Sequence, residues 1–228
     1  MALPPDLVIF DCDGVLVDSE PLALRVCVGL GAELGWPLTE HEVVDRFLGR
    51  SERAVRAQIA DRLGEAAAER WSEQYRLRLA GIIETELAGV EGVVEVLDAL
   101  DAHGPLLHCI ASSGSHGKMR RTLTRTGLYE RFAGRIFSAS EVARGKPEPD
   151  LFLHAAASMG VPPERCAVVE DSQYGVRAAR AAGMRSFGYA GGLTPAAWLA
   201  GGDTVVFSDM RELPALLGLP GPGTRPVA

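Results

Sequence analysis

The stretch VIFDCDGVLVDSE, residues 8–20, decides the fold prediction for this chain. The apolar run that starts at Leu7 is typical of a short buried strand, because it ends abruptly in a turn. The turn carries Asp11 and Asp13, one residue apart, and a glycine follows them. Two carboxylates at the end of one strand repel each other unless a cation or a proton compensates their charge. The stretch therefore predicts a cation site if other parts of the chain complete it.

The composition is that of an ordinary globular protein and argues against two classes of function. The 228 residues suffice for one large domain or two unequal ones. The formal net charge of −7 argues against binding to the phosphate backbone of nucleic acids. No apolar run approaches the roughly 20 residues of a membrane span, and the amino terminus lacks the pattern of a secretory signal. We expect a cytoplasmic monomer that binds neither nucleic acid nor membrane.

The cysteines and lysines carry two further expectations. The four cysteines show no CxxC or metal-like spacing, which predicts buried, reduced thiols: Cys12, Cys27, Cys109 and Cys166. Only two of the 23 basic residues are lysines, Lys118 and Lys146. Lys118 begins the run KMRRTLTRTG, whose cations are typical of a solvated helix face, so we expect it to be an ordinary surface residue.

The chain changes its pattern at about residue 89. Residues 16–88 carry amphipathic helical patterns that stop at glycines, with Thr39 and Ser51 as candidate N-caps. Beyond them, strands and helices alternate to the end of the chain, which predicts a doubly wound α/β fold with a parallel sheet. We therefore expect a catalytic core of residues 1–15 and 89–228 with an inserted all-helical cap domain, residues 16–88. The Pro/Gly-rich tail PGPGTRPVA is expected to be disordered.

Polar residues follow several predicted strands at the point where each strand ends. The strand LLHCIAS ends in Ser112, which Ser113 and Gly114 follow; later segments deliver Lys146 and the pair Glu170 and Asp171. The carboxyl ends of parallel strands form the ligand crevice of such sheets. Oxygen ligands suit Mg²⁺, and a lysine beside a helix N-terminus suits a phosphoryl group. A carboxylate can also attack phosphorus and form an aspartyl-phosphate.

Four pieces of the sequence, in this order, resemble the motifs of the haloacid dehalogenase-like hydrolases: DCDGVLVDSE, IASS, GKPEPD and VVEDSQYGV. The resemblance covers nearly the whole chain and points to the members with a helical cap inserted after the first motif. It implies a Rossmann-like core and a cap that closes over the site. It also implies Mg²⁺-dependent hydrolysis of a small phosphomonoester, such as a sugar phosphate, through an aspartyl-phosphate.

The resemblance assigns roles to individual residues. It makes Asp11 the nucleophile and Asp13 the general acid and base. Ser112 and Lys146 bind and stabilise the phosphoryl group. The implied Mg²⁺ ligands are the Asp11 carboxylate, the Asp13 backbone carbonyl and Asp171, with Glu170 helping directly or through water. Candidate substrate contacts are Ser113, Gly114, Glu20 and Arg50, of which the last two lie in the helical insertion and could equally begin helices.

Departures from sister patterns separate the branches of the family. Dehalogenases lack the second aspartate and the metal, and phosphonatases need a cap lysine, which the helical insertion does not contain. The β-phosphoglucomutase-like members are the closest alternative. They carry a histidine in the linker after the third acid and a lysine soon after the motif-two serine. Here the linker reads SEPLA and Ser112 is followed by SGSH, so we favour a phosphatase over the mutase.

Three other interpretations fit less well. A phospho-accepting receiver domain uses similar groups, but it needs only about 120 residues and has no helical insertion. A silent binding protein on the same scaffold would not need every chemical position to be intact. The stretch SGSHGKM lacks the first glycine of a phosphate-binding P-loop and has Met119 where serine or threonine is needed.

Overall fold

A computed structural model describes residues 4–50, 52–104 and 106–219. Its sheet has six parallel strands in the order β3-β2-β1-β4-β5-β6. The strands are β1 Leu7–Phe10, β2 Leu107–Ser112, β3 Ile136–Ser138, β4 Cys166–Glu170, β5 Arg185–Tyr189 and β6 Val205–Phe207. This arrangement confirms the predicted doubly wound α/β fold. The expectations for the Ser51 cap and for the tail 220–228 lie outside the described residues.

Strand β1 lies in the middle of the sheet, where the chain order reverses. All four of its residues are completely buried, as its apolar sequence predicts. Phe10 is in register with Ile110 of β2 and Val169 of β4. The Asp11 N–H continues this ladder, donating to the Val169 carbonyl at 2.9 Å. The ladder therefore fixes Asp11 at the carboxyl edge of the sheet, at the switch point where such folds bind ligands.

The described α-helices follow the predicted order, with one short addition. They are α1 Glu20–Leu34, α2 Glu40–Phe47, α3 Glu52–Leu63, α4 Glu65–Glu86, α5 Val93–Ala102, α6 His116–Arg125, α7 Asp150–Ser158, α8 Gln173–Ala181, α9 Ala196–Leu199 and α10 Leu213–Leu216. We did not predict α9, whose four residues are too few to show a helical period. Leu151 and Phe152 of α7 are fully buried in the core cluster beside β1, β2 and β4.

Two compact units divide the chain. One is the helical segment Asp18–Ala88, and the other contains the sheet. We expected the helical insertion to begin at Leu16, but Leu16 and Val17 belong to the unit with the sheet. Their N–H groups both donate to the Cys12 carbonyl, at 2.9 and 3.0 Å, and Val17 forms a bridge with Gly89. These hydrogen bonds move the boundary to Asp18.

The helical unit consists of α1 to α4, with a capping box at the start of α2 and an ion pair between α1 and α4. Thr39 caps α2 through a capping box with Glu42, as predicted from its position. The guanidinium of Arg78 on α4 binds both carboxylate oxygens of Glu33 on α1, at 2.6 and 2.7 Å. A bidentate pair of this kind fixes orientation more than it adds stability at an exposed site.

Two further expectations concern cysteines and membranes. All four cysteines are buried and unpaired, as predicted. Burial raises the pKa of the Cys27 thiol to about 12 and that of Cys166 to about 11, so these thiols stay protonated at neutral pH. Among the helices of the described residues, none is long and apolar enough to cross a bilayer.

Candidate active site

Lys146 ties three strand ends together at the carboxyl edge of the sheet. Its ammonium donates to Asp11 Oδ1 at 2.6 Å, to Glu170 Oε1 at 2.6 Å and to the Ala111 carbonyl at 3.1 Å. These acceptors stand at the ends of β1, β4 and β2, so one acceptor meets each of the three donors of the ammonium. The ring of Phe152 lies 4.9 Å from the same nitrogen. Lys146 is therefore a fixed, buried cation at the centre of the predicted site.

Asp11 is a buried carboxylate in a crowded acidic environment. Burial raises its pKa, and the charges of Glu170 and Asp13 raise it further, whereas the Lys146 ammonium opposes the rise. Desolvation and the neighbouring acids together raise the pKa of Asp11 more than the Lys146 ammonium lowers it. A second positive charge beside Asp11 would keep this carboxylate ionised.

Glu170 is held by the groups around it. Its Oε1 accepts from Lys146, and its Oε2 accepts from the Ser172 N–H at 2.8 Å and the Ser172 hydroxyl at 2.9 Å. The first turn of α8 passes so close that a β-carbon on Gly175 would lie 1.8 Å from Glu170 Cδ. The structure thus places Glu170 as the partner that orients Lys146. Its predicted contribution to a metal site stays a prediction.

Asp171 lies against the turn that follows β1. It is 3 % exposed. A β-carbon on Gly14 would lie 2.0 Å from Asp171 Oδ2, and Gly14 also has a φ of +77°. Glycine is therefore required at this position both for the backbone conformation and for the close approach of the carboxylate. The structure brings Asp171 of the fourth motif into contact distance of the first motif.

The serine cluster after β2 forms the turn into α6. Ser112 is the last residue of β2 and is buried, and its hydroxyl accepts from the Gly114 N–H at 3.1 Å. Ser115 caps α6, and its hydroxyl accepts from the Lys118 N–H. Ser113 is exposed and Gly114 is partly buried. A serine hydroxyl that accepts one bond still has a hydrogen to donate, so the predicted contact of Ser112 with a phosphoryl group remains available.

The structure corrects our expectation for Lys118. We expected an ordinary surface residue, but its ammonium lies 2.7 Å from Asp13 Oδ2. Burial disfavours the ammonium, but the Asp13 carboxylate more than offsets this effect and raises the pKa of Lys118. A lysine therefore does follow Ser112, six residues along the chain, and its ammonium contacts Asp13. The scarcity of lysine in the sequence was the one signal that could have identified this residue.

The two predicted substrate contacts in the helical insertion belong to the helical unit. Glu20 is the first residue of α1 and is partly buried. Arg50 is exposed and lies between α2 and α3. Their predicted contact with substrate stays a prediction.

The donor set at the sheet edge fits a hard divalent cation. Asp11, Asp13, Glu170 and Asp171 supply oxygen atoms only, and Asp11 has to share the charge of the Lys146 ammonium with Glu170. In the described part of the chain, no three carboxylate, imidazole or thiol side chains converge on one point. Mg²⁺ does not need such a cluster, because it is usually bound through one or two carboxylates and retains several waters. The residues present therefore suit Mg²⁺ better than a metal that requires a full protein cage.

Comparisons with known proteins agree with this geometry. The model of the haloacid dehalogenase-like hydrolase family matches residues 5–183. The 6-phosphogluconate phosphatase of Escherichia coli (strain K12) is 34% identical over 183 residues, which are 80% of this chain and 81% of that protein. A conserved haloacid dehalogenase-like protein of Agrobacterium tumefaciens str. C58 is 38% identical with a TM-score of 0.83, covering 93% of this chain and 97% of that one. A family hydrolase of Deinococcus radiodurans R1, crystallised with phosphate and sodium, is 34% identical with a TM-score of 0.81, covering 95% and 96%.

Proposed function

We propose a specific reaction for this chain, which belongs to the haloacid dehalogenase-like hydrolases and is a phosphoric monoester hydrolase. In this reaction the protein hydrolyses a small phosphomonoester, requires Mg²⁺ and forms an aspartyl-phosphate intermediate. The proposed substrate class is a sugar phosphate or a related metabolite. The similar protein from Escherichia coli, which this chain matches over four-fifths of its length, is named a 6-phosphogluconate phosphatase. This name supports a phosphorylated sugar or sugar acid as the substrate.

The observation on which this proposal depends is the 2.6 Å contact between Lys146 and Asp11. A second aspartate, Asp13, follows Asp11 two residues later in the sequence. A nucleophile toward phosphorus must be ionised and fixed in position, and the Lys146 ammonium fixes Asp11. The same cation would also attract the negatively charged phosphoryl oxygens. Ser112 at the end of β2 would donate a hydrogen bond to one of them.

In the first half of the proposed reaction, the Asp11 carboxylate attacks phosphorus and the bond between phosphorus and the ester oxygen breaks. The leaving alkoxide takes a proton from the Asp13 carboxyl group. In the second half, Asp13 accepts a proton from a water molecule as that water attacks phosphorus. The bond between phosphorus and the Asp11 oxygen breaks, phosphate leaves, and the Asp11 carboxylate is restored.

Mg²⁺ would be held by the Asp11 carboxylate, the Asp13 backbone carbonyl and Asp171, with Glu170 helping directly or through water. When bound, it would neutralise charge on the phosphoryl oxygens and on the crowded carboxylates. The contact between Asp171 and the Gly14 turn supports this set, because it brings the fourth motif beside the backbone of the first.

The test is phosphate release from a panel of sugar phosphates, phosphorylated sugar acids and nucleotides, with Mg²⁺ and with excess chelator. We expect release that needs Mg²⁺ and that Asp11→Asn abolishes, whereas Asp61→Asn, on the exposed surface of α3, retains it. Acid quenching during turnover should reveal a phosphoryl group on the peptide that contains Asp11. Metal-independent release, or release that survives Asp11→Asn, would contradict the proposal.

A β-phosphoglucomutase-like mutase is the second candidate, and the Lys118 contact favours keeping it. The linker still lacks the expected histidine, since it reads SEPLA after the third acid. Conversion of a hexose 1-phosphate to its 6-phosphate, without net phosphate release, would identify the mutase. We expect net release instead.

A further inference from the structure

The only two lysines of the chain contact the two aspartates of the DCD motif. Lys146 binds Asp11, and Lys118 binds Asp13, with nitrogen–oxygen distances of 2.6 and 2.7 Å. The other 21 basic residues are arginines. Arginine is a planar fork suited to bidentate pairs, whereas lysine is a compact charge on a flexible stem. Both lysines of the chain therefore lie beside the aspartates of this one motif.

The two ion pairs differ in their environment. The side chains of Lys146 and Asp11 are 5% and 10% exposed, whereas those of Lys118 and Asp13 are 37% and 26% exposed. A pair that is partly open to water contributes little to stability. Stability alone therefore does not explain the contact between residues 105 positions apart in the sequence.

The backbone on both sides of the Lys118–Asp13 pair is fixed. Asp13 forms a bridge with Val17, and the Gly14 N–H donates to the Val17 carbonyl at 2.9 Å. Lys118 lies in the first turn of α6, where its own N–H donates to the Ser115 hydroxyl. With both backbones held, the ion pair restricts the side-chain torsions of Asp13.

We propose that Lys118 is a positioning residue that holds Asp13 Oδ2 and so fixes the orientation in which the Asp13 carboxyl group exchanges a proton with the leaving oxygen. This inference rests on the proposed function, in which Asp13 is the general acid and base. Lys118 touches neither phosphorus nor the nucleophile in this role. It acts through Asp13 alone.

The role predicts a dependence on the leaving group. An alkyl phosphate needs a proton for its departing alkoxide, whereas an aryl phosphate with a stable phenolate does not. The ratio kcat/KM reports the steps up to the first irreversible one, here the transfer to Asp11. We expect Lys118→Met to lower kcat/KM for the alkyl ester by about 10- to 100-fold and for the aryl ester by less than about threefold.

The experiment measures both esters with Lys118→Met, Lys118→Arg, Asp13→Asn and the double variant, each checked for folding by its melting curve. If Lys118 acts through Asp13, Lys118→Met causes no further loss in the Asp13→Asn background, and Lys118→Arg restores part of the alkyl ester activity. Arg121→Met, on the exposed face of the same helix, is the matched control and should leave both rates unchanged.

Three outcomes would overturn the positioning role. They are an equal loss for both esters, losses that add in the double variant, and a Lys118→Met enzyme as active as the original. Each requires an active original protein, so each leaves the phosphatase proposal standing. An original protein that hydrolyses neither ester nor any member of the substrate panel would instead overturn the proposed function, and the positioning role with it.

Discussion

Gly14 and Asp171 approach so closely that a β-carbon on the glycine would lie 2.0 Å from Asp171 Oδ2. The two residues belong to the first and fourth motifs, and β1 and β4 are neighbours in the sheet. The contact explains why a glycine follows the second aspartate of DCDG. It also links the turn that carries the predicted nucleophile to the predicted metal ligand.

Gly14→Ala should therefore displace Asp171 and reduce activity. We expect a loss of about 100-fold in kcat/KM from the misplaced carboxylate, and about 1–3 kcal/mol of lost stability, since alanine is strained at a φ of +77°. Gly127→Ala is the matched control, because Gly127 has a φ of +73° with open space around it. It should show the strain without the loss of activity. Similar activity losses in both variants would refute this account of Gly14.

Lys146→Met should destabilise the fold as well as inactivate it. The substitution leaves the buried carboxylates of Asp11 and Glu170 without their shared cation, which costs about 3–5 kcal/mol. Urea unfolding measures this effect. Lys118→Met provides the comparison, since its partly exposed pair should change stability by no more than about 1 kcal/mol. Equal effects on stability from both lysines would show that burial does not distinguish them.

Mg²⁺ should stabilise the folded protein by binding the acidic edge of the sheet. At a concentration of about 100 times its dissociation constant, the gain is about 2.7 kcal/mol, seen as a higher melting temperature without any substrate. Asp171→Asn should abolish most of the shift, whereas Asp61→Asn in the helical unit should retain it. A shift of the same size in the Asp171→Asn variant would place the ion elsewhere.

His108 should make stability depend on pH. It is the second residue of β2 and 3% exposed, with Nε2 3.7 Å from Asp101 Oδ1. Burial lowers its pKa, and the charge of Arg135 adds to the effect. The unfolded chain therefore binds a proton at a higher pH than the folded protein does. The stability from neutral His108 is fully present above the unfolded value of about 6.5 and is lost as pH falls toward the folded pKa.

The measurement is the free energy of unfolding of the original protein and of His108→Leu at several pH values between 5 and 8. We expect the original protein to lose stability relative to the variant as the pH falls. Parallel pH curves for the two proteins would mean that His108 is not the group responsible.

The sequence by itself determined the order of the elements and which of the predicted site residues meet at the carboxyl ends of the strands. Apolar runs ending in turns predicted the strands, and the carboxyl ends of parallel strands meet at one edge of a sheet. The sequence therefore predicted that three residues lie close together: Asp11, Lys146 and Glu170. In the structure, the Lys146 ammonium binds both carboxylates. Short elements such as α9 were not predicted, because four residues are too few to show the periodicity of a helix.

Only the tertiary structure decided which lysine forms an ion pair with which aspartate. Local sequence places Lys118 among arginines on an amphipathic helix, and nothing in that pattern states that α6 turns this side chain toward the β1 turn. The direction of a helix relative to a distant loop is set by packing against the sheet, which periodicity does not encode. The same packing sets the contacts of Gly14 with Asp171 and of Gly175 with Glu170. The sequence supplied the chemical groups, and the packing of the helices on the sheet assigned their partners.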